Sequence, residues 1–278
     1  MQFLIENEPT IRLSVFIVVF VLMAFAEVLL PKKKRMMQRL NRWFTNLALV
    51  VVNTIAVHIV VPVLAVGVAA WASVNSIGLL NLLALPLWLE VVIAIVFLDA
   101  LIYAQHVVSH KLPILWRLHK IHHADRDIDV TTGARFHPLE IILSMLFKLA
   151  CVILLGPSVV AVILFEVILN ASAMFNHSNI SLPKQLDAIL RKFIVTPDFH
   201  RVHHSTVYQE TDSNYGFFLS AWDRIFKTYT PQPKAGHVEM NIGLSEYQST
   251  QPNSLWWCLI APFVRPAKGF DQSVESHD

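Results

Sequence analysis

Thirteen histidines occur in this sequence of 278 residues, and most fall into three clusters: His106-x-x-x-His110, His119-x-x-His122-His123 and His200-x-x-His203-His204. Residues three and four apart share one face of an α-helix, ~5–6 Å between Cβ atoms, so each cluster aims two or three ring nitrogens at one point. At the chain's own histidine frequency an H-x-x-H-H pattern is expected about 0.03 times, and it occurs twice, which argues against chance. The eight imidazoles of these clusters would repel one another if protonated and would waste donors if neutral, unless a cation organises them. They also exceed the three or four protein ligands of a single zinc site, which implies two ions. Imidazole suits iron, zinc, copper and nickel alike, so ligand type does not select the metal. Outside the clusters, His58 in an uncharged apolar stretch is assigned to helix packing or a cavity hydrogen bond, and His237 and His277 to a loop and a polar tail.

The elements that must position these clusters belong to a membrane protein. The chain is 55% hydrophobic and 15% charged, against about a quarter charged in soluble domains. A net charge of +2 is too small for a nucleic-acid partner. Two cysteines, Cys151 and Cys258, are too few for a disulfide framework or an iron–sulfur cluster and read as packing residues. Residues 13–30 carry one charge, Glu27, and read as a retained spanning helix. Lys32, Lys33, Lys34, Arg35, Arg39 and Arg42 follow, an orientation signal that places this connection in the cytoplasm. Residues 43–72 cross outward, residues 73–85 form the far-side connection, and the chain returns from Pro86 to about Val108.

A polar, histidine-rich stretch at 109–138 then gives way to an apolar block at 139–176, interrupted by Gly156-Pro157. A Gly-Pro pair ends one helix and starts another, so the block is expected to form a helical hairpin that dips in and returns to the same side. Strand signals are weak. The expected fold is all-α, a polytopic membrane helix bundle carrying a cytosolic, histidine-rich di-metal helical cap. It divides into N-terminal spanning helices (1–95), a catalytic region (96–235) and a cytosolic tail (236–278).

Taken in order, the motifs resemble the fatty acid hydroxylase/sterol desaturase superfamily of membrane di-iron enzymes. The resemblance rests on His106-Val107-Val108-Ser109-His110, on Leu118-His119-Lys120-Ile121-His122-His123 and on Arg135-Phe136-His137-Pro138-Leu139-Glu140. In the second half it rests on Asn176-His177-Ser178-Asn179, Asp198-Phe199-His200-Arg201-Val202-His203-His204, Asn214-Tyr215-Gly216 and Trp222-Asp223-Arg224. It covers about residues 95–230 and implies metal ligation by His106, His110, His119, His122, His123, His177, His200, His203 and His204. His137 is carried over with them as a ligand, a residue supporting the ligands, or a cap for the helix beginning at Pro138. Asp99, seven residues before His106, and Asp223 are candidates to fix imidazole tautomers. Arg135, Arg201 and Arg224 are expected to pair with carboxylates or lipid headgroups.

The resemblance further implies two iron ions per chain, O₂ as co-substrate and attack on a lipid C–H bond. Zinc has no redox chemistry, whereas two ferrous ions can supply electrons to O₂. Turnover needs two external electrons, and the chain has no dinucleotide fingerprint, cysteine set or haem module. A separate donor is therefore expected, cytochrome b5 or a ferredoxin with its reductase, with Arg191 and Lys192 as docking charges. The bacterial inner membrane is favoured over the endoplasmic reticulum. Two competing classes are a di-zinc hydrolase, which lacks an H-E-x-x-H pattern here, and a metal-handling protein, for which His58 and Glu90 are the hints.

Overall fold

The computed structural model describes residues 6–264, so His277 lies outside the described residues. Among them there is no strand; the only extended pairings are isolated bridges, Pro31 with Ile180, Ile194 with Leu219 and Ser205 with Ile242. Five segments are long and apolar enough to cross a membrane. The first is α1 (Glu8–Leu29), followed by α2 (Arg39–Val60) and α3 (Ala65–Val74), which together form the second. The chain continues through α4 (Leu87–Lys111), α5 (Pro113–His123), α6 (Pro138–Leu155) and α7 (Val159–Asn176).

Local sequence explains the boundaries. Pro62 falls between α2 and α3, where a missing N–H and a ring clash interrupt the expected single crossing at 43–72. The α6–α7 hairpin forms as expected. Gly156 closes α6 in the left-handed conformation (φ 63°), and the Ser158 side chain caps α7 by accepting from the Ala161 N–H at 3.2 Å. The tip of the hairpin packs against the α3–α4 connection: a Cβ on Gly78 would lie 2.4 Å from the Gly156 Cα, and the Leu79 N–H donates to the Leu154 carbonyl at 3.0 Å. Glu90, at the start of α4, accepts from both the Ser158 N–H (2.8 Å) and its hydroxyl (2.7 Å). The hairpin thus reaches the same level as the α3–α4 connection, and Glu90 is accounted for as its cap.

Small residues let the helices approach closely. Ala65, Ala69, Ala94 and Ala161 are fully buried in one apolar cluster with Leu98, Val152 and Phe165. The outer face of α1 stays bare, with Leu13 and Phe25 about three-fifths exposed, as a lipid-facing helix requires. Its single buried residue is Glu27, whose carboxylate accepts from the Val130 N–H (2.7 Å) and the Asn179 N–H (3.0 Å). One acid therefore ties α1 to both histidine-bearing stretches.

The basic cluster after α1 differs from its expected role as a set of topological charges. Arg42 is fully buried, with its guanidinium on Asp125 (2.7 and 2.8 Å) and Asp129 (2.7 Å). Lys32 pairs with Asp198 at 2.7 Å, and Lys33 donates to the Val238 and Met240 carbonyls. Lys34 and Arg35 stay exposed. The stretch expected as a tail also packs inward as far as residue 262: Met240, Ile242 and Cys258 are buried, and the Pro252 carbonyl accepts from Arg135 at 2.6 Å.

Candidate metal centre

Four elements deliver imidazoles to one end of the bundle. His106 and His110 sit one turn apart in the last turns of α4. Pro113, whose fixed φ suits a first turn, starts α5, which carries His119, His122 and His123. His177 caps the C-terminus of α7. The short helix α8 (Lys184–Leu190) leads to α9 (Pro197–His203), which begins at Thr196-Pro197 with the Thr196 hydroxyl accepting from the Phe199 N–H at 3.3 Å. That start sets the phase that turns His200, His203 and the following His204 inward.

The nine imidazoles form two groups. His106, His110, His119, His123 and His203 bring one ring nitrogen each to within 4.8 Å of one another, and His122, His177, His200 and His204 do the same. In five of the rings Nδ1 faces an oxygen that can only accept. His106 donates to the Tyr215 carbonyl (2.7 Å), His203 to that of Ser213 (2.7 Å) and His177 to that of Ala173 (2.7 Å). His122 donates to the Arg135 carbonyl (3.3 Å) and His119 to the Glu140 carboxylate (2.5 Å). With the proton on Nδ1, a neutral ring presents a bare lone pair at Nε2. Those lone pairs face one another: His106 to His119 at 3.2 Å, His106 to His203 at 3.1 Å, and His122 to His177 at 3.1 Å. Acceptor against acceptor at this separation is repulsive, and a cation between the nitrogens resolves it.

The surroundings hold the rings neutral. Burial, followed by the neighbouring imidazoles, depresses His122, His123, His200 and His204 well below the usual histidine range. Burial brings His203 to about 3 and His177 to about 4. Beneath the site, burial pushes Asp125 upward, but the Arg42 charge and hydrogen bond, with Arg135 behind them, outweigh it and hold the carboxylate at about 2.

Other expected residues take different places. His137 joins neither group. Its Nδ1 accepts from the Leu139 N–H at 3.1 Å, capping α6, and its Nε2 donates to the Leu259 carbonyl at 3.2 Å, so both nitrogens are engaged by backbone. Asp99 touches no imidazole: it accepts from the Trp222 indole (2.8 Å) and the Leu219 N–H (3.0 Å). Asp223 accepts from the N–H groups of Tyr215 and Gly216, both at 2.8 Å. The two acids order residues 215–222, whose Tyr215 carbonyl receives the His106 proton. Arg135 is fully buried and forms no ion pair among the described residues; it donates to the Ile121 carbonyl (2.8 Å) and the Asn46 side chain (2.8 Å). Arg201 pairs with Asp198, while Arg224 donates to the Ser220 carbonyl (2.9 Å) and that of Arg191 (2.6 Å). Glu140 is the residue that histidine spacing overlooks; its signal is its place on the first turn of α6, two residues after the Arg-x-His-Pro element.

A cleft of about 200 Å³ opens on this geometry, with His106, His119 and Glu140 at its head. Residues 91–228 match the fatty acid hydroxylase family. This stretch, about half of the chain, belongs to the fatty acid hydroxylase family. Among its curated relatives, this fatty acid hydroxylase family member is 27% identical over 158 residues to ornithine lipid hydroxylase of Rhizobium tropici, covering 56% of this chain and 46% of that protein. It is 34% identical over 131 residues to alkylglycerol monooxygenase of Danio rerio, covering 47% of this chain and 28% of the relative. With methylsterol monooxygenase 2-2 of Arabidopsis thaliana it shares 26% over 164 residues, 58% of this chain and 61% of the relative. The match thus spans less than half the length of the first two relatives. No solved structure matches the chain.

Proposed function

We propose that this chain is a membrane-bound, O₂-dependent lipid oxygenase whose two histidine groups hold two iron ions. The carrying observation is the set of Nε2 lone pairs facing one another at 3.1–3.2 Å while their Nδ1 protons are given outward to carbonyls and to Glu140. Two iron ions bound there supply the redox chemistry that turns O₂ against an unactivated C–H bond. The chain's own part is to fix the rings, exclude water and seat the lipid. The carbonyls of Tyr215, Ser213, Ala173 and Arg135 lock tautomer and ring direction. Burial of His122, His123, His177 and His200 to 1% exposure or less keeps bulk water from the reacting centre.

Hydroxylation is favoured over desaturation, a reading supported by relatives named as hydroxylases and monooxygenases. Electrons come from a separate carrier, cytochrome b5 or a ferredoxin with its reductase. The exposed Lys34 and Arg35 support a cytoplasmic position for the histidine end; the bacterial inner membrane is favoured over the endoplasmic reticulum. The test is lipid mass spectrometry on cells with and without the protein, grown under ¹⁸O₂ with a compatible donor. A new ¹⁸O-labelled lipid is expected; a lipid two hydrogens lighter without label would mean a desaturase, and unchanged lipids would overturn the reading.

A further inference from the structure

The cleft at His106 and His119 does not end at the site. Glu140, Ser144 and Lys148 line it along one stripe of α6, so it runs about 12 Å from the carboxylate to the ammonium. Gln105 from α4 and Asn170 from α7 face the same space. Polar groups at this depth of a spanning bundle are expensive and call for a partner. The Gln105 side-chain oxygen, Oε1, is buried and finds no hydrogen-bond partner among the described residues. The Glu140 Oε2 is likewise buried and accepts nothing.

The charge at the deep end is already balanced. Lys148 donates to Glu166 at 2.8 Å, Glu166 also receives Arg12 at 2.9 Å, and Arg12 pairs with Glu8 at 2.6 Å, two cations against two anions. An anionic headgroup would find no free cation there among the described residues, whereas an uncharged group that donates a hydrogen bond would find the orphaned Gln105 oxygen.

Beyond Gln105 and Glu140 the surroundings turn apolar. Both residues also border a second cavity of about 330 Å³, lined by Leu115, Leu118, Leu143 and Phe147. That cavity shares Leu115, Leu118 and Leu143 with an outer trough of about 520 Å³ walled by Ile114 and Phe263, both largely exposed. An alkyl chain entering from the bilayer through the trough would pass Gln105 before meeting His106.

We propose that the cleft and trough together bind a long-chain lipid bearing an uncharged hydrogen-bond donor, a hydroxyl or an amide N–H, and that Gln105 selects that group while the alkyl chain lies in the trough. This names the substrate class of the oxygenase and rests on that reading only for the statement that the bound lipid is oxidised. The donor hydrogen bond meets an acceptor that is otherwise buried and unsatisfied, which corresponds to about tenfold in affinity.

The test is equilibrium binding of radiolabelled octadecan-1-ol, octadecane and octadecanoate to the purified full chain in detergent. Octadecan-1-ol is expected to bind about tenfold tighter than either competitor. Gln105→Leu is expected to abolish that preference, and octadecane still bound by the variant reports an intact trough. Ser144→Ala, a milder change on the facing helix, is expected to narrow the preference by about threefold. Octadecanoate binding as tightly as the alcohol would overturn the proposal, as would a preference that survives Gln105→Leu. Because binding needs neither O₂ nor a donor, the alcohol preference without any ¹⁸O-labelled lipid would sink the oxygenase reading alone.

Discussion

Five imidazoles of the site each give an Nδ1 proton to an oxygen on a different stretch of chain, and four of those oxygens are backbone carbonyls that no side-chain substitution removes. Glu140 is the exception, and this makes it the accessible lever on the ring of His119. Glu140→Ala is expected to weaken iron retention or turnover by about 10–100-fold, and Glu140→Gln, which keeps an acceptor oxygen, to recover part of it. Iron bound per chain after dialysis, measured beside activity, checks this; full retention in the alanine variant would contradict it. Asp125 offers a second residue-level test. Its folded value of about 2 lies below its ordinary 3.8, so its contribution to stability is complete above that ordinary value and is lost as pH falls through about 2. The difference corresponds to roughly 2 kcal/mol. The stability gap between wild type and Asp125→Asn, from denaturant unfolding in detergent, should stay constant down to about pH 4 and shrink towards pH 2. Eight of the nine histidines of the two groups were legible because ligand spacing is local information, whereas His177 has no histidine at ligand spacing and entered only through the family resemblance. Asp99 and Asp223 were placed on imidazoles on the strength of helix phase and residue type, but their partners are backbone N–H groups of residues 215–219 together with the Trp222 indole and the Thr228 hydroxyl, a chain path no local pattern records.

Helical punctuation carried most of what could be read about the elements. Gly156-Pro157 marked the hairpin because a left-handed C-cap followed by a residue without an N–H suits only a break. What the sequence did not reveal is that the tip meets the α3–α4 connection, a contact between two stretches almost eighty residues apart that depends on the absence of a side chain at both Gly78 and Gly156. Gly156→Ala places a Cβ 2.5 Å from the Ile77 carbonyl oxygen at positive φ. A loss of about 1–3 kcal/mol is expected, read as a lower thermal midpoint in detergent, and an unchanged midpoint would contradict the packing. His137 belongs at this scale too: of the three roles left open for it, ligand, support for the ligands or cap, the structure shows the cap on α6.

Across the whole molecule, the histidine end is held by ties that run back to the first two spanning helices. Glu27 fastens α1 to residues 130 and 179, and Arg42 fastens α2 to Asp125 and Asp129. The basic cluster reads as an orientation signal, but the burial of Arg42 was not legible, because Arg42 finds its acids more than eighty residues later. The helices separate the two ends of the bundle: Glu90 at the hairpin tip and His106 at the site are sixteen residues apart on α4, about 24 Å. Cysteines introduced at the exposed Asn75 and Glu239 should therefore react with a membrane-impermeant maleimide from opposite sides, over a low background because Cys151 and Cys258 are buried. Labelling of both from one side would contradict this arrangement. The central claim is that the five-histidine and four-histidine groups each hold one iron ion. Its most direct measurement is Mössbauer spectroscopy with iron quantification on membranes from cells grown on ⁵⁷Fe, which avoids exchange for zinc during purification. Two irons per chain are expected in the wild type, falling to about one when His122, His177, His200 and His204 are replaced together; an iron content unchanged by that replacement, or no iron in the wild type, would contradict the account.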